Sequence, residues 1–333
     1  MKHVHVVINS FMNNFGILHQ GIEVAGHRVF FHENPKMSVV DGEVFFNFDF
    51  MIGNGQEKVG ESDAVAVVPS DRLFINRRYN KIEQALRINQ FVDTQANKNK
   101  SSFSNFYKVR SWAHRQPYGV SHLVPAGGRV VVKPCDGARG IGQFLVDTTK
   151  IPLIVFVEAL DLYREDRLSK EAFFAELDKY PEAYKYAVAG EKSEDEGLKA
   201  LRSQDFVIQS FVDNVVAEYR LITDHNGDIT YCQQRTIRKT DTGFSQATGS
   251  ESNSLLASDV VPITDVLNKQ SHKDLNQLGR EVIGPLSSID LFVTEDGKWG
   301  IFEYCNQFGI KGIPYPITLD LHKRFIEKLI TGK

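Results

Sequence analysis

Short apolar runs separated by polar stretches mark the first third of the chain. Residues 4–8, Val-His-Val-Val-Ile, are the right length for a buried strand. Ile17, Leu18, Ile22 and Ala25 fall at helical spacing and predict a helix over 15–26, with residues 28–32 as the next strand, so the chain opens as β-α-β. Ala64-Val65-Ala66-Val67-Val68 predicts a further strand, and Ile82, Ala85 and Leu86, with Ile88 close by, predict a helix. The Lys/Asn/Ser-rich stretch from Thr94 to Ser104 reads as a linker.

A second region starts near residue 105. Arg129 to Lys133 predicts a strand, followed by a glycine-rich loop and a return strand from Gln143 to Asp147. Residues 161–202 are charged and helical in pattern, with Phe173, Phe174, Leu177 and Tyr180 as the apolar stripe, and read as an inserted helical pair. Glu191 to Glu196 reads as an exposed loop. Two hairpins and two helices follow. Ser271-His272-Lys273-Asp274 has capping-box form ahead of Leu275, Leu278 and Val282. Leu321, Phe325 and Leu329 mark a terminal helix that Gly332 ends. No internal repeat is visible.

At 333 residues the chain suits about two domains. A net charge of -3 offers no overall basic surface for nucleic acid or an anionic membrane. Cys135, Cys232 and Cys305 are too few and too far apart for a zinc site or a disulfide framework, and fit a reducing cytosol. The N-terminus lacks a signal-peptide layout, and no apolar run approaches a membrane span. The expected location is therefore cytoplasmic.

Three features carry chemistry. In the first, Lys133-Pro134 leads into Gly137, Gly140 and Gly142, where backbone N–H groups can approach an anion unobstructed. Gln143 follows where a Walker loop needs lysine, and the loop returns into a strand where a Rossmann fingerprint needs a helix. A plain hairpin turn explains the glycines equally well. In the second, Asn226-Gly227 is a two-residue turn signal whose register places Glu218 opposite Arg235 and Arg220 opposite Gln233 on one face. Two arginines and a carboxylate on that face suit a nucleotide polyphosphate, or form a surface ion pair of little consequence. In the third, the turn at Asp296-Gly297 sets Asp290 opposite Glu303 among apolar neighbours. A divalent cation, Mg²⁺ or Mn²⁺, would relieve that repulsion, with Asn306 adding a neutral oxygen. An exposed carboxylate pair at a sheet edge is the alternative.

Taken in order, these motifs resemble the ATP-grasp superfamily, and most of all the branch of ribosomal-protein S6 glutamate ligase and bacterial glutathione synthetase. The resemblance covers about residues 105–315 and includes Gln209-Ser210-Phe211-Val212, Glu218-Tyr219-Arg220, Tyr231-Cys232-Gln233-Gln234-Arg235, Glu303-Tyr304-Cys305-Asn306 and Gly309-Ile310-Lys311-Gly312-Ile313. It implies an α/β and α+β protein: an N-terminal α/β domain over 1–104, then an ATP-grasp domain over 105–333 whose two α+β subdomains clamp ATP. The lid would span about 118–212, with an insertion at 161–202. Lys133 and an earlier lysine, Lys108 with Lys100 as rival, would touch the phosphates. Lys108 is expected to open a helix before Tyr118-Gly119-Val120. Gln209, Phe211 and Val212 would hold adenine and Glu218 the ribose. Arg235, with Arg220 beside it, would stabilise the transferring phosphoryl group. Asp290, Glu303 and Asn306 would hold the metal.

One departure stands out: the family's Glu-x-Asn is met here by Cys305 at the Asn position, with Asn306 one residue later. Ala247-Thr248-Gly249 only faintly resembles the family's substrate loop, with Gln246 in place of its Asn. The implied activity is an ATP-dependent ligation of a small-molecule or peptide carboxylate to an amine or thiol through an acyl phosphate, releasing ADP and phosphate. Self-association stays open. A small-molecule kinase and a non-catalytic nucleotide-binding protein are the alternatives.

Overall fold

The computed structural model describes residues 3–8, 22–32, 37–40, 43–46, 49–56, 73–77, 79–113, 128–135, 142–187, 194–203, 205–235, 238–239, 245–246, 260–306 and 315–332. The expected strand at 64–68, Gly137, Gly140, residues 247–249 and the Gly309–Ile313 pattern lie outside them.

The N-terminal strands are β1 (His3–Ile8), β2 (Ile22–Val24), β3 (His27–His32), the hairpin β4 (Met37–Val40) and β5 (Glu43–Phe46), β6 (Phe50–Gln56) and β7 (Leu73–Arg77). Five of them form a sheet in the order β2-β3-β1-β6-β7. β3, β1, β6 and β7 run parallel, as the α/β expectation requires. The helix expected over 15–26 is corrected at its C-terminal end: residues 22–24 are the edge strand β2, antiparallel to β3. Ala25 and Gly26 both take positive φ, 49° and 76°, which is a two-residue primed turn and cannot continue a helix. The apolar spacing ran on past a turn that the glycine announces.

Helix α1 (Lys81–Lys98) follows, reaching well into the stretch expected as a linker. Its polar residues lie on a helix whose other side buries Ile88 and Val92, so composition alone misreads it. The next strands and helices are β8 (Ser111–Ala113), β9 (Arg129–Pro134), β10 (Gln143–Asp147), α2 (Leu153–Arg164), α3 (Lys170–Leu177), β11 (Tyr184–Ala187), α4 (Glu194–Ser203) and β12 (Phe206–Ser210). The strands form an antiparallel sheet, β11-β10-β9-β12-β8. The segment expected as an inserted helical pair is thus three helices and an edge strand. Phe156, Leu160, Tyr163, Phe173, Leu177 and Leu201 pack with Val132 and Phe144 into one core, so these helices cover the sheet and are not an appendage. Residues 194–196, expected in a loop, begin α4.

The C-terminal part contains β13 (Val215–Thr223), β14 (Ile229–Arg235), the short pair β15 (Arg238–Lys239) and β16 (Ser245–Gln246), α5 (Ile263–Val266), α6 (Lys269–Leu278) continued by a π turn over Gly279–Ile283, β17 (Ser288–Thr294), β18 (Trp299–Cys305) and α7 (Tyr315–Thr331). Four strands form an antiparallel sheet, β14-β13-β17-β18. Both predicted registers hold: Glu218 pairs with Arg235, Arg220 with Gln233, and Asp290 with Glu303.

The turns themselves are longer than two residues. Asp224 O accepts from Gly227 N, and Gly227 takes φ 89°, giving a turn closed by a left-handed glycine with a bulge beside it. A β-carbon on Gly227 would lie 2.8 Å from Gly279 O, so the hairpin end also needs glycine to seat against the π turn. α6 starts two residues before the expected capping box. Asn268 is its cap, and the buried Asp274 instead accepts from Phe103 N at 2.7 Å. One face of this sheet (Leu221, Cys232, Ile289, Leu291, Tyr304) is buried against α1 and α6. α7 packs Leu321, Phe325 and Ile326 with Val4, Val6 and Val29 of the N-terminal sheet and with Ile222 and Tyr231.

Candidate functional site

A single cross-strand row runs over the C-terminal sheet. Gln233 of β14 pairs with Arg220 of β13, Arg220 with Asp290 of β17, and Asp290 with Glu303 of β18. Period-two alternation puts residues of such a row on one side of the sheet. The register shifts just past Asp290, where Leu291 pairs with Ile301 and Phe302 is the extra residue. That bulge lets Ile301 and Leu291 stay in the apolar core while Glu303 joins the charged cluster.

The repulsion expected between Asp290 and Glu303 is met by cations of the protein itself. Arg220 grips Asp290 through both oxygens, Nε to Oδ1 at 2.8 Å and Nη2 to Oδ2 at 3.1 Å. Arg235 adds longer contacts, Nη2 to Oδ1 at 3.3 Å and Nη1 to Oδ2 at 3.5 Å. Glu303 lies 3.5 Å from Lys81 Nζ. Burial works to raise the Glu303 pKa, but Lys81, Lys133 and Arg220 together outweigh it and hold the carboxyl below its usual range.

Lys133 ends β9 and is buried. Burial pushes its pKa down to about 8; Glu303 and Asp290 oppose the shift and Lys81 adds to it. The Arg235 guanidinium is likewise held below its ordinary value, by burial first, with repulsion from Arg220 added and attraction from Asp290 and Glu218 too weak to compensate. For the buried Lys133 and the partly buried Arg235, desolvation thus outweighs the attraction of the nearby carboxylates.

Lys81 was not found by sequence reasoning. It is the first residue of α1, held in place by a reciprocal cap: Asn80 Oδ1 accepts from Glu83 N at 2.9 Å, and Glu83 Oε2 accepts from Asn80 N at 3.1 Å. The signal was present as Asn80-Lys81-Ile82-Glu83, a capping-box pattern that marks the helix start. Lys108 sits elsewhere. It lies in extended chain ahead of β8, with no helix opening there, and its exposed ammonium pairs with Asp93 of α1. Lys100 is exposed in the turn after α1.

Gln209 is buried on β12 and donates from Nε2 to Ser111 Oγ at 2.9 Å. Beside it lies a narrow crevice walled by Ala85 and Ile88 of α1, Val109, Gln209, Phe302 and Glu303. Phe211 lies under the Arg129 guanidinium at 4.6 Å, and Val212 is buried against Val109 and Phe292. Glu218 is buried opposite Arg235. Gly142, with φ 74°, ends the glycine-rich loop. Asn306 is buried and donates from Nδ2 to Ile283 O at 2.8 Å and to Ser287 Oγ at 2.9 Å. Cys305 shares alternation with Glu303. Among the described residues no group of three or more His, Cys, Asp or Glu side chains can hold a metal ion by itself, and no helix is long and apolar enough to cross a membrane.

No family model and no curated protein matches the sequence. Among solved structures the chain is similar to a RiPP-associated ATP-grasp ligase of Chryseobacterium gregarium in complex with ADP and a leader and core peptide. That match has 10% identity, covers 99% of this chain and 95% of that one, and has a TM-score of 0.48. It is similar to the macrocyclase MdnC bound with precursor peptide MdnA from Microcystis aeruginosa MRC, at 13% identity over 99% of both chains with a TM-score of 0.49. A third similar structure is N5-carboxyaminoimidazole synthetase from Staphylococcus aureus complexed with ADP, at 11% identity over 96% of this chain and 74% of that one, with a TM-score of 0.47.

Proposed function

We propose that the chain is an ATP-dependent ligase of the ATP-grasp type, which activates a carboxylate as an acyl phosphate and passes it to an amine or thiol, releasing ADP and phosphate. One observation carries the reading. Four cations, Lys81, Lys133, Arg220 and Arg235, gather at two carboxylates: Arg220 and Arg235 contact Asp290, Lys81 contacts Glu303, and Lys133 is buried within their electrostatic reach. A polyphosphate supplies the missing negative charge, and terminal phosphoryl transfer develops its charge where such cations converge.

In this reading Lys133 and Lys81 bind the phosphates, Lys81 taking the role expected of Lys108. The loop glycines Gly137, Gly140 and Gly142 approach the phosphates through backbone N–H groups. Gln209, Phe211 and Val212 receive the base beside the crevice, and Glu218 takes the ribose hydroxyls. Arg235 and Arg220 stabilise the transferring phosphoryl group. Asp290 and Glu303 are two hard oxygen donors, which fits Mg²⁺ or Mn²⁺ whose remaining ligands are phosphate oxygens and water. Such a cation, when bound, screens the phosphate charge. A thiol is a poor ligand for it, so Cys305 contributes nothing to its hold, and Asn306 serves the fold. The division at residue 104 and the cytoplasmic location belong to the same reading.

A thermal-shift screen of carboxylates and amines with AMPPNP would find responsive substrates. With ATP and such a carboxylate, hydroxylamine should then trap a hydroxamate in step with ADP release. AMP and pyrophosphate as products would overturn the mechanism. ADP with a stable phosphoester would make the protein a kinase. The tie of the Asn306 amide to Ile283 and Ser287 favours one second reading, nucleotide binding without turnover, which would appear as AMPPNP binding with no product from any carboxylate.

A further inference from the structure

The Asp290 carboxylate has two oxygens, and arginine occupies both. Arg220 takes them at 2.8 and 3.1 Å in the bidentate geometry that makes such pairs strong, and Arg235 takes them again at 3.3 and 3.5 Å. The Asp290 side chain is only 18% exposed, so little room remains for a hydrated cation beside the two guanidinium groups. Glu303, the other hard oxygen donor, sits against Lys81 and feels Lys133 and Arg220. A dication entering this cluster alone meets up to four positive side chains at two carboxylates that are already paired.

Resting on the ATP reading above, we infer that Arg220 and Arg235 form a latch on Asp290. The free protein then binds no divalent cation at this site, and the polyphosphate must draw the arginines away before the cation can use the carboxylate. Arg235 is the looser of the two, with the longer contacts to Asp290, and so is the first that a phosphate would recruit. Arg220 is the tighter half and sets the barrier to the cation. The order of binding is thereby built into the cross-strand row: polyphosphate first or together with its cation, never the cation alone. Both arginines are positioning residues in this respect, since they act on the cation through Asp290.

The test counts free Mn²⁺ by electron paramagnetic resonance in titrations of the full chain, with and without AMPPNP. Wild-type protein should bind no Mn²⁺ below millimolar concentrations without AMPPNP and should bind it with AMPPNP. Arg220→Gln should gain Mn²⁺ affinity in the nucleotide-free state by roughly tenfold to a hundredfold, the equivalent of one lost charge-assisted contact. Adding Asp290→Asn to that variant should abolish the gain. Arg220→Lys, which keeps the charge but not the fork, should fall between and guards against misfolding of the glutamine variant. Mn²⁺ binding to nucleotide-free wild type that Asp290→Asn abolishes would overturn the latch while leaving the ATP reading intact. So would no gain in either folded Arg220 variant. Absence of AMPPNP binding in every arm would remove the ATP reading and the binding order with it.

Discussion

Lys133 carries its charge in a place that resists it. Burial pulls its pKa from 10.5 to about 8, so the unfolded chain holds the Lys133 proton more tightly than the native protein. Below pH 8 the charged lysine opposes folding. As pH rises from about 8 towards 10.5 the unfolded chain alone still carries the proton, and native stability relative to a neutral residue rises until the handicap is gone. Lys133→Met should therefore melt above wild type at neutral pH, with the gap closing as pH approaches the ordinary lysine value. The same variant should lose nucleotide affinity by roughly tenfold to a hundredfold, since a charge-assisted contact disappears. Thermal melts across pH, paired with AMPPNP titrations, check both halves. A variant less stable at neutral pH with unchanged affinity would place Lys133 in a purely structural role.

At the scale of the element, α1 joins a cap to a ligand group. Asn80 accepts from Ile82 N and Glu83 N, and Glu83 returns a bond to Asn80 N, so the first turn is fixed where Lys81 begins. Asn80→Ala should cost about 1 kcal/mol of stability and fray that turn. Lys81 would then lose its fixed approach to Glu303, and AMPPNP should bind more weakly than the stability change alone explains. Denaturant unfolding and hydrogen exchange over residues 81–84 read the first effect, and AMPPNP titration reads the second. Equal protection of that turn in variant and wild type would show that the cap does not hold Lys81. The hairpins show a related economy. Their registers were legible because period-two alternation and a glycine turn are local, and the longer loops were each offset by a bulge that returned the strands to the expected pairing.

At the scale of the whole molecule, the apolar core under the sheet that carries Lys133 is rich in aromatic residues. Phe144 is fully buried there, with Phe156, Phe173 and Tyr186 edge-on or tilted around it. Phe144→Ala should lower stability by about 3–5 kcal/mol, because the surrounding rings can only partly close the cavity. Lys133 belongs to the same sheet, so the variant should also weaken AMPPNP binding at temperatures where the C-terminal sheet remains folded. Calorimetry and titration at low temperature check this. Normal affinity in the destabilised variant would show that the sheet core and the phosphate lysine are independent.

The chain's local patterns determined a good deal: the parallel opening, the β9–β10 hairpin, both C-terminal hairpins, and the facing of Asp290 and Glu303. These follow from the alternation of side chains along a strand and from turn residues, which neighbours a few positions apart encode. The same reasoning placed Glu218, Arg220 and Arg235 on one ribbon. Local patterns erred where a helix-like spacing crossed the Ala25-Gly26 turn and where polar composition hid the last turns of α1. Only the tertiary structure decided how the carboxylates are balanced. Arg220 comes to Asp290 from 70 residues away along the chain, Arg235 from 55, and Lys81 reaches Glu303 from a helix in the first third of the sequence. No periodicity records such pairings, because they depend on which segments pack together and on how far burial strengthens each charge. For that reason the carboxylate pair was visible in the sequence, whereas its arginine and lysine partners were assigned by the fold.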